Sequence, residues 1–393
     1  MATIRTFSLS LTWHSVISRR TMATSSTNPQ PLKGITVVSL EQAVAAPFCT
    51  RQLADQGARV IKVERAGVGD FARGYDTRVN GLASHFVWIN RSKESLALDL
   101  KNPKDHDVLL RLLSRADVLV QNLAPGASAR LGLSHEALKG KHPSLISEAG
   151  LVSVTGSKEE PAKVGISIAD ISAGMYAYTN ILTALMQRAK DGIGRKIDIS
   201  MLESMVEWMG FPLYYTYDKA PPPARAGASH AAIYPYGLFE TGDGRQVMLG
   251  MQNEREWKIF CEKVLHKTEL VTDFRFVSNT LRTQNRNDLK NIICESFSTV
   301  GAEEVIALLE EAQIANAKVN TMHYVWEHPQ LKARERWTQI QTPAGDVPAL
   351  LPPGFSAEQD ASWLRPVPRV GEHNDSILKE LGVTETIQKR RLD

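Results

Sequence analysis

Residues 32–64, LKGITVVSLEQAVAAPFCTRQLADQGARVIKVE, read as strand, helix, strand. ITVVSL (35–40) is a short apolar run rich in β-branched side chains, the pattern of a strand buried on both faces. APFCTRQLADQG follows as a helix ending at Gly57, a residue suited to the backbone of a helix terminus. ARVIKVE (58–64) is the next strand. Strands joined through a helix of this length pair in parallel, because parallel neighbours need a crossover. The rhythm continues downstream. SLALDL (95–100) is a third strand, and Pro103 opens the helix PKDHDVLLRLLSRA with Val108, Leu109 and Leu112 on its apolar face. ADVLVQNL (116–123) is a fourth strand.

The expected fold is α/β, a Rossmann-like parallel sheet wound with helices. The loop after the first strand, EQAVAAPF, lacks G-x-G-x-x-G, which argues against a nicotinamide or flavin enzyme. AGVGDFAR (66–73) has two glycines without that spacing and reads equally as a turn. With 393 residues the chain exceeds one ordinary core. Its 43% hydrophobic and 23% charged residues are those of a globular protein. A net charge of +3 gives no argument for nucleic acid, and no apolar run reaches membrane-spanning length. Cys49, Cys261 and Cys294 are odd in number and far apart, which fits reduced thiols and neither a disulfide framework nor a metal site.

Residues 1–30 form a segment apart. They hold no acid, three arginines (Arg5, Arg19, Arg20) and many Ser and Thr, the composition of a mitochondrial transit peptide and of a matrix protein. Residues 31–225 are expected to form a large domain. The Pro-rich DKAPPPARAGASH (218–230) marks a boundary. A small α+β domain (226–330) follows, with a hairpin around Gly242-Asp243-Gly244 and helices in EREWKIFCEKVL, NRNDLKNIICESF and AEEVIALLEEAQI. Residues 331–393 comprise a linker, QTPAGDVPALLPPGFSAEQ, and a C-terminal segment, RVGEHNDSILKELG.

One acid stands out in AKVGISIADISAGMYAYTNILTALMQRA (162–189). Residues 164–169 read as a buried strand, and Met175, Tyr178, Leu182 and Leu185 as an apolar helix face. Asp170 then stands between strand and helix, as an N-cap or as a reactive carboxylate at a strand end where α/β sheets bind ligands.

Eight stretches in order carry a resemblance: LKGITVVSLEQAVAAPFCTRQLADQGARVIKVERAGVGDFAR, NRSKESLALDLKNP, ADVLVQNLAPGASARLGL, GLVSVTGSKEEPAKVGISIADISAGMYA, GRKIDISMLES, AIYPYGLFETGDGR, HPQLKAR and GEHNDSILKELG. Together they resemble the class III CoA-transferases, the CaiB/BaiF family, and GASHAAIYPYGLFETGDG is most similar to the succinyl-CoA:dicarboxylate branch. The resemblance implies an interlocked homodimer, a large domain built from both chain ends and a small middle domain. It implies coenzyme A thioesters as substrates, a small carboxylic acid as acceptor, and no metal or permanently bound cofactor. The family nucleophile matches Asp170. By position in the motifs, Val44, Ala45, Arg65, Leu98, Lys101, Asn122, Leu123 and Arg130 would line the CoA site. His230 and Gln252 are candidates for holding the acyl group. The implied activity is CoA transfer from an acyl-CoA such as succinyl-CoA to itaconate, glutarate or hydroxymethylglutarate.

The chain departs from the pattern at one place. Ser147 passes directly into EAGLVSVTG, where family members carry about two dozen further residues, including a G-Y-D or G-H-D helix start. Family racemases use the histidine of that segment as a base. Its loss favours transfer over the alternative of racemisation, and it keeps open a third reading, a CoA-binding chain with impaired catalysis.

Overall fold

The computed structural model describes residues 30–123, 131, 151–355 and 363–383. Residues 1–29, Arg130 and the Ser147–Glu148 junction lie outside the described residues, and with them the expected transit peptide, the expected phosphate-binding arginine and the expected gap in the family pattern.

The first sheet has four parallel strands in the order β3-β2-β1-β4. They are β1 (Thr36–Leu40), β2 (Arg59–Arg65), β3 (Lys93–Leu98) and β4 (Val118–Gln121). Helix α1 (Ala45–Asp55) connects β1 to β2 and ends where Gly57 adopts φ +93°. Helix α2 (Ser84–Asn90) precedes β3, and α3 (Pro103–Leu113) leads to β4. The Asn102 side chain caps α3, with Pro103 as its first residue.

Helices cover both faces, as a parallel sheet requires. On one face α3 buries Val108, Leu109 and Leu112 against Val38, Leu40, Ile61, Val63, Leu96 and Leu98. On the other, Cys49 and Leu53 of α1 pack with Ile181 of the long helix α4 (Ile168–Asp191) over Val37 and Val60. Tyr178, Leu182 and Leu185 join that cluster, and Met175 packs near Phe48. Helix α5 (Met201–Trp208) follows, with Ser200 capping it.

The smaller core is drawn from residues 234–314. The hairpin β5 (Tyr236–Glu240) and β6 (Gln246–Gly250) turns through Gly242–Gly244, and β7 (Ala315–Lys318) pairs with β6. Helices α6 (Glu254–Ile259), α7 (Arg286–Phe297) and α8 (Ala302–Glu311) pack over it through Trp257, Ile293 and Leu309.

Three sequence expectations change. Residues 164–167 are irregular, not a strand: they pair with no strand among the described residues, and Ile166 is 57% exposed. An apolar run is a strand only where a sheet edge receives it. Second, the expected linker contains a hairpin, β8 (Trp337–Thr342) with β9 (Gly345–Leu350). Ile340, Val347 and Ala349 pack on Phe86 and Val87 of α2. Pro348 is tolerated because the sheet has two strands and both are edges. Third, β3 starts two residues early, at Lys93, because its two charges are paired inside. Lys93 Nζ meets Glu41 Oε1 at 2.7 Å, and Arg59 meets Glu94 Oε2 at 2.9 Å.

The C-terminal segment returns to the first sheet. Helix α9 (Asn374–Glu380) buries Ile377 and Leu378 on the β3 side. His373 N–H donates to the Ser95 carbonyl at 3.0 Å, while His373 Nδ1 accepts the Ser95 N–H at 3.2 Å.

Candidate active site

In an open parallel sheet, ligands bind beyond the carboxyl ends of the strands where the strand order reverses. Here β1 to β3 run one way and β4 lies on the other side of β1, so that point is between β1 and β4. The two strand ends are tied across it. Gln42 N–H donates to Asn122 Oδ1 at 2.9 Å, and Asn122 Nδ2 donates to the Gln42 carbonyl at 2.8 Å.

Helix α4 brings Asp170 to this edge. Its far end is anchored at the opposite edge, where Arg188 Nη2 binds Asp117 Oδ1 at 3.0 Å and Asp117 Oδ2 accepts the Thr36 N–H at 2.8 Å. Eighteen residues at 1.5 Å each carry the helix about 27 Å back to Asp170. Asp170 is therefore at the third helical position, with Ser167 as the capping residue and no side-chain cap bond. The capping reading of Asp170 is replaced by an acid in the first helical turn, a position favoured by the helix dipole.

The start of α4 abuts the start of α1. Ile171 and Met175 pack with Val44, Phe48 and Ile89. A Cβ on Gly174 would fall 2.7 Å from the Ala45 carbonyl, so glycine permits this approach one turn from Asp170. Burial pushes the Asp170 carboxyl above its ordinary range, with only partial opposition from a backbone N–H and Lys163. The Tyr75 phenol is pushed up by burial and by the charges of Asp70 and Asp170. Ser172 is buried and donates to the Ala169 carbonyl at 3.0 Å.

The structure brings most of the expected CoA residues to this same edge. Val44 precedes the first turn of α1, Ala45 opens it, and Asn122 and Leu123 follow β4. Arg65 ends β2 and is exposed, and Lys101 is exposed in the turn after β3. Leu98 ends β3 in register with Arg65, but its side chain is 1% exposed and lies in the core. His230 and Gln252 belong to the smaller unit. The His230 ring stacks on Tyr236 at 5.4 Å, and its Nδ1 accepts the Ala232 N–H at 3.1 Å. Gln252 is exposed, and its N–H donates to Glu256 Oε2 at 2.8 Å.

Sequence reasoning missed a buried charged network beneath the edge. Lys62 Nζ binds Asp70 Oδ2 at 2.7 Å and lies 3.4 Å from Glu41 Oε1. Glu41 also accepts from Thr50 at 2.6 Å. Burial alone would raise the Glu41 carboxyl, but Lys93 and Lys62 hold it at about 2. Burial brings Lys93 down to about 8 despite Glu41. Glu64 accepts from Arg73 (2.7 Å) and Ser95 (2.6 Å). The signal was present in VIKVE: a Lys and a Glu in a strand buried on both faces must have internal partners.

Comparison with known proteins gives one consistent answer. Residues 32–148 and 146–374 match the model of CoA-transferase family III. The chain is 31% identical to an acyl-CoA transferase of Fusarium pseudograminearum over 95% of its length and 90% of the relative's. It is 30% identical to the human succinyl-CoA:glutarate CoA-transferase, covering 90% of this chain and 86% of that one. The crystal structure of a CaiB/BaiF family protein from Brucella suis superposes with TM-score 0.76 at 28% identity, over 90% of this chain and all of that one.

Proposed function

The chain belongs to CoA-transferase family III and is an enzyme of that class, and from this premise we propose that it moves CoA from succinyl-CoA to a small dicarboxylic acid, with Asp170 as nucleophile. The observation that carries the proposal is a carboxylate with raised proton affinity, held in the first turn of α4 against the β1–α1 connection. Glutarate heads the candidate acceptors, because the similar human protein is named for it; itaconate and hydroxymethylglutarate share its chemistry.

The steps balance without a resident cofactor. An Asp170 oxygen attacks the thioester carbonyl, the C–S bond breaks, and a mixed anhydride and CoA thiolate result. The thiolate attacks the aspartyl carbonyl, forming an aspartyl-CoA thioester and releasing succinate. The acceptor carboxylate attacks that thioester and expels the thiolate, which then takes the acceptor acyl group and restores Asp170. Each stage spreads one difficult exchange over easier ones. First-turn N–H groups of α1 and α4 that lack an intrahelical partner would supply the stabilisation of developing oxyanions.

Val44, Ala45, Asn122 and Leu123 would flank the pantetheine, and Arg65, Lys101 and Arg130 would meet phosphates. The reading extends to a mitochondrial matrix location, supported by the acid-free, Arg-containing leader. It extends also to a homodimer, supported by the exposed Trp208, Phe211, Leu213, Tyr214 and Tyr217. The absent segment after Ser147 is part of the reading, and the two matched stretches of the family model meet at residues 146–148.

The test mixes purified protein with succinyl-CoA and each acid and follows new thioesters by mass. Hydroxylamine added during turnover should label residue 170, and Asp170→Ala should abolish transfer. Undiminished transfer by Asp170→Ala overturns the assignment. Exchange of the α-proton with heavy water, without transfer, would establish the racemase instead.

A further inference from the structure

Ala43 adopts φ +62°, a left-handed conformation that residues with a Cβ avoid. It lies immediately before Val44 and Ala45, and the Ala45 carbonyl lies against α4 at Gly174, one turn from Asp170. Its amide is held from below. Asp70 Oδ1 accepts the Ala43 N–H at 3.2 Å and the Ala72 N–H at 2.9 Å, while Asp70 Oδ2 takes Lys62 Nζ at 2.7 Å. The side chains of Asp70 and Lys62 are both 0% exposed.

Burying such an ion pair is a weak source of stability, since desolvation offsets most of the attraction. Its geometric effect is specific. Both carboxylate oxygens are engaged, one on the loops and one on the lysine, and the loop cannot relax without breaking a buried bond. On its other side the same connection is pressed against α4 at Gly174. We propose that Asp70, backed by Lys62, is a positioning residue: it clamps Ala43 in its left-handed conformation and so fixes the Val44–Ala45 backbone opposite Asp170. The proposal rests on the reading of Asp170 as nucleophile and adds a second carboxylate that never touches substrate.

The test uses the full chain. Asparagine has one acceptor oxygen, so Asp70→Asn must surrender either the amides or Lys62. The expected result is amide hydrogen exchange across residues 41–46 accelerated about tenfold or more, read by mass spectrometry. In the same variant kcat should fall about tenfold to a hundredfold while KM for succinyl-CoA stays within about threefold. Adding Ala43→Gly should restore part of kcat, because glycine takes the left-handed conformation without the clamp. General loss of structure would not be rescued this way at temperatures where every variant is folded. If Asp70→Asn does not fold, Ala43→Val in the intact network should show the same fall in kcat at unchanged KM, since a β-branched residue resists positive φ. Unchanged exchange in Asp70→Asn overturns the clamp, and an unchanged kcat in Asp70→Asn or Ala43→Val overturns its positioning role. If the parent transfers no CoA, faster exchange in Asp70→Asn retains the clamp, while the Asp170 reading and the positioning role fall together.

Discussion

Gly174→Ala tests whether the spacing of α1 and α4 sets the site. The added Cβ would lie 2.7 Å from the Ala45 carbonyl oxygen and 3.1 Å from Phe48 Cδ1. Ordinary contact begins near 3.4 Å, so the shortfall at the carbonyl is 3.4 − 2.7, or about 0.7 Å. Phe48 can turn its ring, but a carbonyl in the first helical turn cannot swing away. The helices must separate by several tenths of an ångström at the end that carries Asp170. Overpacking of this kind costs about 1–3 kcal/mol. Alanine in place of a helical glycine returns about 1 kcal/mol. The net loss is about 0–2 kcal/mol, modest beside the whole fold. Catalysis is more exposed, because misplacing a reacting group by an ångström costs on the order of a hundredfold. Turnover should therefore fall about tenfold to a hundredfold while the urea midpoint moves little. Steady-state transfer kinetics paired with urea melts measure both. Turnover within about twofold of the parent would refute the reasoning.

Four further outcomes follow from the buried charged groups. Burial raises the proton affinity of Asp170, and the proposed chemistry needs its carboxylate, so kcat should fall as pH drops through a limb lying above the ordinary 3.8; a limb at or below that value contradicts the burial argument. A raised carboxyl favours folding only where it is protonated, so Asp170→Asn should be more stable than the parent at neutral pH, as urea unfolding would register. Glu41 has the opposite sign. Its folded value of about 2 lies below the ordinary 4.5, so it stabilises the fold above pH 4.5 and that contribution drains away between about 4.5 and about 2, visible as a falling urea midpoint. Arg73→Ala removes two bonds to buried Glu64, one to the Pro368 carbonyl, and the guanidinium stacked 3.7 Å from the Phe86 ring. A loss of about 3 kcal/mol is expected by urea unfolding, and a loss under about 1 kcal/mol would mean that solvent or Lys62 replaces it.

The alternation of strand and helix from Ile35 to Leu123 was legible because each element carries its own period and stop signal, such as Gly57 and Pro103. Asp170 was legible as the lone acid in an apolar segment, yet its surroundings were not. Residues 164–167 have the composition of a strand, yet they pair with none among the described residues. The β8–β9 hairpin was hidden by Pro343 and Pro348, residues that punctuate linkers as readily as they tolerate sheet edges. Lys62, Asp70 and Glu41 carry ordinary surface-type side chains. Their importance lies in partners 8 and 21 residues apart, a relation that no local window contains.

The grip of Arg188 on Asp117 has a consequence for how this enzyme can change. With one end of α4 moored, the helix behaves as a measuring rod. Deleting a single residue between Asp170 and Arg188 would draw the acid back by about 1.5 Å and swing it through about 100°. Point substitutions can accumulate along its outer face, but length is closed to gradual variation. Laboratory diversification of substrate range should leave this helix intact and work on the loops that meet its tip.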